Sequence, residues 1–348
     1  MARAGGGMGL TVVSVAYPLA PVTADPAGGA EQVLAQIDRA LVAAGHRSIV
    51  VAQAGSVVAG ELVGIPAPSG EIDDRRREEA HRSVRGALAR VAGSADVIHL
   101  HGLDFDRYLP APGPPCLVTL HMPLDWYAPG ALASERPDVH LQPVSADQAN
   151  RAPEGVILLD PIANGVDVER YRPTPTKDNY VLVLGRVARE KGFHDALDAA
   201  RLAGVPLQVA GAVFPYPEHR RYFDDEVAPR LDETRIWVGT VAGEAKRRLI
   251  AEARCMLIPS TAPETSSLVA MEALACGTPV IAYRSGALPD IVEDGVTGLI
   301  VEDVAGMAAA IGRIGAIDPA ACRRAAVERF AVRRTTAAYL DLYHRLVA

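Results

Sequence analysis

The chain is short of the residues and patterns that mark several functional classes. Its four cysteines, Cys116, Cys255, Cys276 and Cys322, are scattered through apolar surroundings with no CxxC spacing. That leaves zinc and dithiol roles unsupported and fits a reducing compartment. No stretch reaches the ~18 unbroken apolar residues of a membrane span, so no integral membrane segment is expected. The opening MARAGGGMGLTVVSVAYPLA places Arg3 before a short apolar run, but that run is glycine-rich and broken by Pro18. It reads as a first β-strand rather than a secretory signal, and a cytoplasmic protein is expected. A net charge of −7 lacks the basic surface that nucleic acid requires, although it is compatible with a local basic pocket for a nucleotide. GGGMG, at Gly5 to Gly9, precedes the first strand and is in the wrong place for a dinucleotide fingerprint. A DxD-type metal pair is also lacking: the nearest is Asp104-Phe105-Asp106, in the first half of the chain. No metal and no cofactor are expected.

What is present is length for two domains, at 348 residues, in an ordinary globular composition. Residues 11–16 (TVVSVA) are a β-branched run without alternation, as in a buried parallel strand. Gly28 and Gly29 open a helix over about 30–44, Gly45 closes it, and SIVVAQ is the next strand. Glycines at the start of a βαβ helix serve either close backbone approach or plain turn chemistry. In residues 71–92, Asp73, Asp74, Glu78 and Glu79 interleave with Arg75, Arg76, Arg77 and Arg82. A solvated helix face with i,i+4 pairs explains them better than a membrane-surface patch.

DVIHLHG and CLVTLHMP are strands that end in histidine. Carboxyl ends of strands in open α/β sheets face the ligand crevice, which favours a role for His101 and His121. His99 is read as alternating away from His101 and packing. LQPVSADQANRA adds a strand with Ser145 at its end. The prolines and polar residues of VILLDPIANGVDVERYRPTPTKDN are linker-like and place a hinge near 165–176. Beyond it, YVLVLG, PLQVAGA, RIWVGT, CMLIPS and PVIAYR alternate with helices, the pattern of a second parallel sheet covered on both faces. Arg186 stands at a strand end five residues before Lys191. A fixed guanidinium fork beside a point charge suits a diphosphate, though a surface arginine would read the same. Asp318 and Pro319 start one late helix, and another runs from after Phe330 to Val347.

The chain is organised around PSTAPETSSLVAMEALACGTP, Pro259 to Pro279. Glu264 and Glu272 stand with seven residues between them at the head of an apolar helix. Thr265 or Ser266 can cap its start, and Gly277 with Pro279 ends it. A helix N-terminus offers unpaired N–H groups to a phosphate. Eight helical residues rise roughly 12 Å, a span suited to one ligand held at both ends with a diphosphate between. An ionised carboxylate accepts hydroxyl hydrogen bonds and donates none. Taken alone, the pair is better read as one surface and one capping glutamate on a buried helix; the neighbouring segments are what favour a site.

Together these pieces resemble the family-4 retaining nucleotide-sugar glycosyltransferases, which have the GT-B fold. The matching segments are GGAEQVL, HLHG, TLHMP, IANGVDVERYRP, LGRVAREKGF, the Glu264/Glu272 pair and DGVTGLIV, in the family's order over nearly the whole chain. The resemblance implies two doubly wound, Rossmann-like α/β domains facing across a cleft. An acceptor-side domain would cover 1–165 and be joined by the C-terminal helix 332–348; a donor-binding domain would cover 166–331. Sugar would pass from a UDP- or GDP-linked donor to a hydroxyl of a small-molecule, glycan or lipid acceptor, with retained configuration and no metal. Arg186 and Lys191 would neutralise the diphosphate. Thr265, Ser266, Ser267 and Leu268, at the helix N-terminus, would hold it through backbone N–H groups. Glu264 and His121 would orient the sugar, Glu272 would meet the ribose and Val241 the base. Gly28, Gly29 and His101 would face the phosphate or the acceptor. One departure stands out: Thr265-Ser266-Ser267 follows Glu264 where an aromatic-glycine pair is usual. A nucleotide-sugar 2-epimerase of the same fold and a non-catalytic nucleotide-sugar-binding protein are the alternative readings.

Overall fold

A computed structural model of the chain describes residues 9–23, 28–70, 72–134 and 136–348. Gly5 to Met8 of the glycine run, and Pro26, lie outside the described residues. The chain divides into two compact units, one of residues 1–143, 151–162 and 336–348, the other of 144–150 and 163–335.

The first unit runs β1 (Thr11–Val15), α1 (Gly29–Ala43), β2 (Arg47–Gln53), β3 (Glu61–Ile65), α2 (Asp74–Val91), β4 (Val97–Leu100), β5 (Cys116–Leu120) and β6 (Val139–Pro143). Its sheet has the order β3-β2-β1-β4-β5-β6, and every pairing is parallel. β1, β4 and β5 are apolar runs because both faces are covered: Val13, Val15, Ile98, Leu100, Val118 and Leu120 are wholly buried. Edge strand β3 has no counterpart in the sequence reading; its partly exposed ELVGI lacks the long apolar run of its neighbours. In α2 the alternating charges do face solvent. Arg75 pairs with Glu79 at i,i+4, and Asp73 caps the helix by accepting from the Arg76 N–H at 2.8 Å.

The second unit contains α3 (Ala146–Asn150), β7 (Val181–Arg186), α4 (Phe193–Leu202), β8 (Leu207–Ala212), α5 (Pro217–Tyr222), β9 (Arg235–Gly239) and α6 (Gly243–Glu252). It continues with β10 (Cys255–Ile258), α7 (Leu268–Ala275), β11 (Val280–Tyr283), α8 (Leu288–Ile291), β12 (Gly298–Val301), α9 (Val304–Arg313) and α10 (Pro319–Arg329). The order β12-β11-β10-β7-β8-β9 is the first sheet's order read in reverse, again all parallel. Asp318 caps α10 from the position before Pro319, its carboxylate accepting from the Ala320 N–H at 2.9 Å. The last helix, α11 (Val332–Val347), starts in the second unit, and from residue 336 onward it belongs to the first. Both sheets reverse strand order about their first strand, β1 or β7, and ligands of such folds bind beyond the carboxyl ends there.

Candidate active site

In the second unit the residues of interest lie on two loops that leave adjacent strands, β7 and β10. Arg186 ends β7, and Arg189–Lys191 form a 3-10 turn before α4. Gly192 follows with φ +65°, and any Cβ there would strike Pro259 of the second loop. Only glycine lets the loops close together. The Thr261 N–H donates to the Glu190 carbonyl at 2.9 Å, and the Lys191 ammonium reaches Glu264 Oε1 at 2.5 Å. Ser260 Oγ donates to the same oxygen. Glu264, nine-tenths buried, is thereby fixed in orientation, and both of these bonds fall on Oε1. On its other side Gly286, at φ +55°, packs against the Glu264 backbone where a side chain has no room. The Ala287 N–H donates to the Glu264 carbonyl at 2.7 Å. Arg186 Nη2 is paired with Glu190 Oε1 at 2.8 Å. The two cations named from the sequence are therefore held in place by two acids of the same loops.

α7 starts later than its sequence suggests. Its first helical residue is Leu268 and its N-cap is Ser267, with no side-chain capping bond. Neither Thr265 nor Ser266 caps it, and the Ser266 hydroxyl is buried without a hydrogen-bond partner. The chain stays extended through Ser267 (φ −112°, ψ 93°) because the preceding loop is tied back to Lys191 and Ala287. Glu272 is wholly buried inside α7. Its Oε1 accepts from the Tyr171 hydroxyl and the Lys246 ammonium, both at 2.8 Å. Val241 is partly exposed in the loop after β9.

In the first unit Gly28 is the N-cap of α1 and Gly29 its first residue, with the Glu31 carboxylate folded back where a Gly28 Cβ would stand. His101 and His121 follow β4 and β5, and His101 Nδ1 lies 3.0 Å from His121 Nε2. His99 does pack, wholly buried, but it does not alternate away from His101. Residues two apart in a strand share a face, and the two ring centroids are 3.9 Å apart. Burial disfavours the imidazolium in all three rings: His99 and His101 are held well below the ordinary value, and His121 falls to about 3. They are neutral hydrogen-bonding groups at physiological pH.

Asp104 is bonded to His81 Nε2 at 2.5 Å and accepts from the Tyr108 hydroxyl at 2.9 Å. Among the described residues no group of three or more His, Cys, Asp or Glu side chains is arranged to hold a metal ion. All four cysteines are free and buried, and burial raises their thiols to about 11 or 12. No described helix is long and apolar enough to cross a membrane. Ser260, Lys246 and Tyr171 were not legible as site residues. Ser260 alone had a signal, its place at the carboxyl end of β10.

Comparison with known proteins covers both units. Residues 27–151 match the model of the Glycosyltransferase Family 4, and residues 178–316 match the model of Glycosyl transferases group 1. A D-inositol 3-phosphate glycosyltransferase of Saccharomonospora viridis is 33% identical over 245 residues, 59% of this chain and 54% of that protein. The chain spans about half the length of the curated relatives it matches. Among solved structures, a glycosyltransferase involved in avilamycin A biosynthesis superposes with a TM-score of 0.71 at 25% identity. That match covers 97% of this chain and 98% of the other. An Anabaena protein solved in complex with UDP-glucose gives 0.71 at 19% identity, over 97% and 100% of the two chains, a likeness of fold.

Proposed function

From the membership of this chain in the family-4 glycosyltransferases of GT-B fold, we propose that it transfers a hexosyl group from a nucleoside-diphosphate sugar to a hydroxyl acceptor with retained configuration. The observation that carries the reading is the Lys191–Glu264–Ser260 cluster, locked by Gly192 and Gly286 on the loop next to Arg186. A diphosphate leaving group gains charge as the glycosidic bond breaks, and prearranged cations there lower the barrier without reorganising. Arg186, Lys191 and the backbone N–H groups of Thr265 to Leu268 take that role.

Glu264, oriented by Lys191 and Ser260, accepts hydroxyl hydrogen bonds from the transferred sugar. His121 is assigned to the same sugar, Glu272 to the ribose and Val241 to the base. Glu272 is already bonded to Lys246 and Tyr171, so the ribose meets a carboxylate whose orientation is set in advance. The bond from the anomeric carbon to the diphosphate breaks as the bond to the acceptor oxygen forms on the same face, and the acceptor proton passes to a leaving diphosphate oxygen. UDP is the first donor to examine, given the fold neighbour solved with UDP-glucose, and GDP the second.

The test is nucleotide release over a panel of UDP and GDP sugars, with and without acceptors. Product configuration is read by NMR and EDTA is included in one arm. Acceptor-dependent release of nucleoside diphosphate, retention, and indifference to EDTA are expected. Release without any acceptor would assign the chain to the epimerase class. Tight donor binding with no turnover across the panel would make it a nucleotide-sugar-binding protein.

A further inference from the structure

The buried polar groups of the first unit form a hydrogen-bonded chain with one direction. Gln142 Nε2 donates to the Pro143 carbonyl, so its Oε1 only accepts, and it does so from the Tyr339 hydroxyl at 2.7 Å. With its proton committed there, Tyr339 Oη accepts from the Thr119 hydroxyl at 3.0 Å. Thr119 Oγ1 in turn accepts from His99 Nε2 at 2.7 Å. The opposite nitrogen of that neutral ring, Nδ1, accepts from the Tyr343 hydroxyl at 2.7 Å. A neutral imidazole has one donor and one acceptor, so this chain fixes His99 as the Nε2–H tautomer.

His101 is gripped on several sides. The His99 ring lies against it, its backbone N–H donates to the Val15 carbonyl at 3.0 Å, and Gly102 is closed over by the Tyr108 hydroxyl and the Asp104 carboxylate. The His101 and His121 rings are near-parallel (19°), with one proton to share between Nδ1 and Nε2. Nε2 of His101 is buried and has no hydrogen-bond partner. If His121 donated, His101 would carry its own proton on that nitrogen, a buried and unpaired N–H. If His101 donates, the nitrogen keeps only an unused lone pair. Among backbone groups, orphaned buried N–H donors are rarer than under-satisfied acceptors, and the same order is applied to this ring.

We infer that His101 is a positioning residue: it donates Nδ1–H to His121 Nε2 and so fixes His121 as the Nδ1–H tautomer. The Tyr343–His99–Thr119–Tyr339–Gln142 chain holds the His101 ring in that register, with α11 supplying both tyrosines. His121 then offers the sugar a donor rather than an acceptor, a role that rests on the assignment of His121 to the transferred sugar.

The test pairs NMR of the full chain, 15N-labelled at histidine, with transfer kinetics. Wild-type His121 should show a protonated Nδ1 and an unprotonated Nε2. His101→Phe keeps a ring but removes the donor; the tautomer should be lost and kcat should fall roughly tenfold with donor KM little changed. His101→Asn, whose amide N–H replaces Nδ1–H, should restore the tautomer and most of kcat. Tyr343→Phe, which leaves His99 held by Thr119 alone, should mix the His121 tautomers and lower kcat about threefold. It serves also if His101→Phe does not fold. A wild-type His121 protonated on Nε2 would overturn the inference, as would a His101→Phe enzyme whose tautomer switches with kcat intact. Should no donor be turned over at all, the glycosyl-transfer reading fails while the NMR still decides the tautomer.

Discussion

The two units share one strand order and differ in the polar chemistry they bury. In the first, beside the wholly buried Asp38 that Ser48, Ala59 and Gly60 bond, the interior carries neutral groups in a directed chain: His99, Thr119, Gln142, Tyr339 and Tyr343 are all wholly buried. In the second, ammonium groups are drawn in, buried at Lys246 and partly buried at Lys177 and Lys191. The chain's three lysines, Lys177, Lys191 and Lys246, all lie there. Each is engaged: Lys177 by the Ala251 carbonyl and Thr278, Lys191 by Glu264, and Lys246 by Glu272. One backbone design therefore hosts two kinds of interior, and the difference follows the ligand assigned to each. A diphosphate needs fixed positive charge, which must be paired while no ligand is bound. A sugar hydroxyl needs donors and acceptors of known direction, which neutral groups supply without the desolvation cost of ions. The fold is common property; the site is what differs.

Acid should separate the two interiors most strongly. A histidine held neutral by burial binds its proton only in the unfolded chain as pH falls below about 6.5. The folded values of His99, His101 and His121 are all lowered, so stability is intact above that pH and is lost as pH falls towards the folded values, about 3 for His121. Each ring costs about 1.4 kcal/mol per pH unit in that window. Urea unfolding at pH 7 and pH 5 should show a loss of several kcal/mol that shrinks in His99→Gln. A midpoint that does not move between those pH values would erase the contrast.

Breaking a charge pair comes next. Lys246→Met strands the wholly buried Glu272 and should cost about 3–5 kcal/mol, the range for removing one partner of a buried pair. Lys246→Met with Glu272→Met together should recover most of it. If the single variant is as stable as wild type by thermal unfolding, the second unit's interior does not depend on ion pairing.

Lys191→Ala acts on ligand rather than fold, since the lysine is about a third exposed and Ser260 still bonds Glu264. Nucleoside-diphosphate affinity should drop by about 2 kcal/mol, roughly thirtyfold by calorimetry. Arg186→Ala should weaken it in the same direction. Wild-type affinity in both would remove these residues from the phosphate site.

The smallest effect is expected from Thr119→Val. It interrupts the neutral chain and leaves the His99 Nε2–H unpaired, a cost of about 1–2 kcal/mol in urea unfolding. A loss as large as that of Lys246→Met would mean that the neutral chain is as sensitive as the ion pairs.

The sequence by itself determined most of the elements of both units, edge strand β3 excepted. Runs such as TVVSVA and YVLVLG, short and β-branched without alternation, suit a doubly covered parallel sheet, and Gly45 and the Asp318-Pro319 pair punctuate helices by local backbone chemistry. It also marked Arg186, Lys191, Glu264, His101 and His121, because strand ends and charged loops are visible along one dimension. Tertiary structure alone decided what those groups touch. Lys191 meets Glu264 across 73 positions, and Tyr343 meets His99 across 244. No periodicity encodes such distances; they follow from how the strands are ordered and how the loops close. The same holds for the start of α7: a serine can cap a helix by its chemistry, but loop contacts to Lys191 and Ala287 kept the backbone extended until Ser267. Local propensity is worth tenths of a kcal/mol per residue, and tertiary contacts of this kind outweigh it.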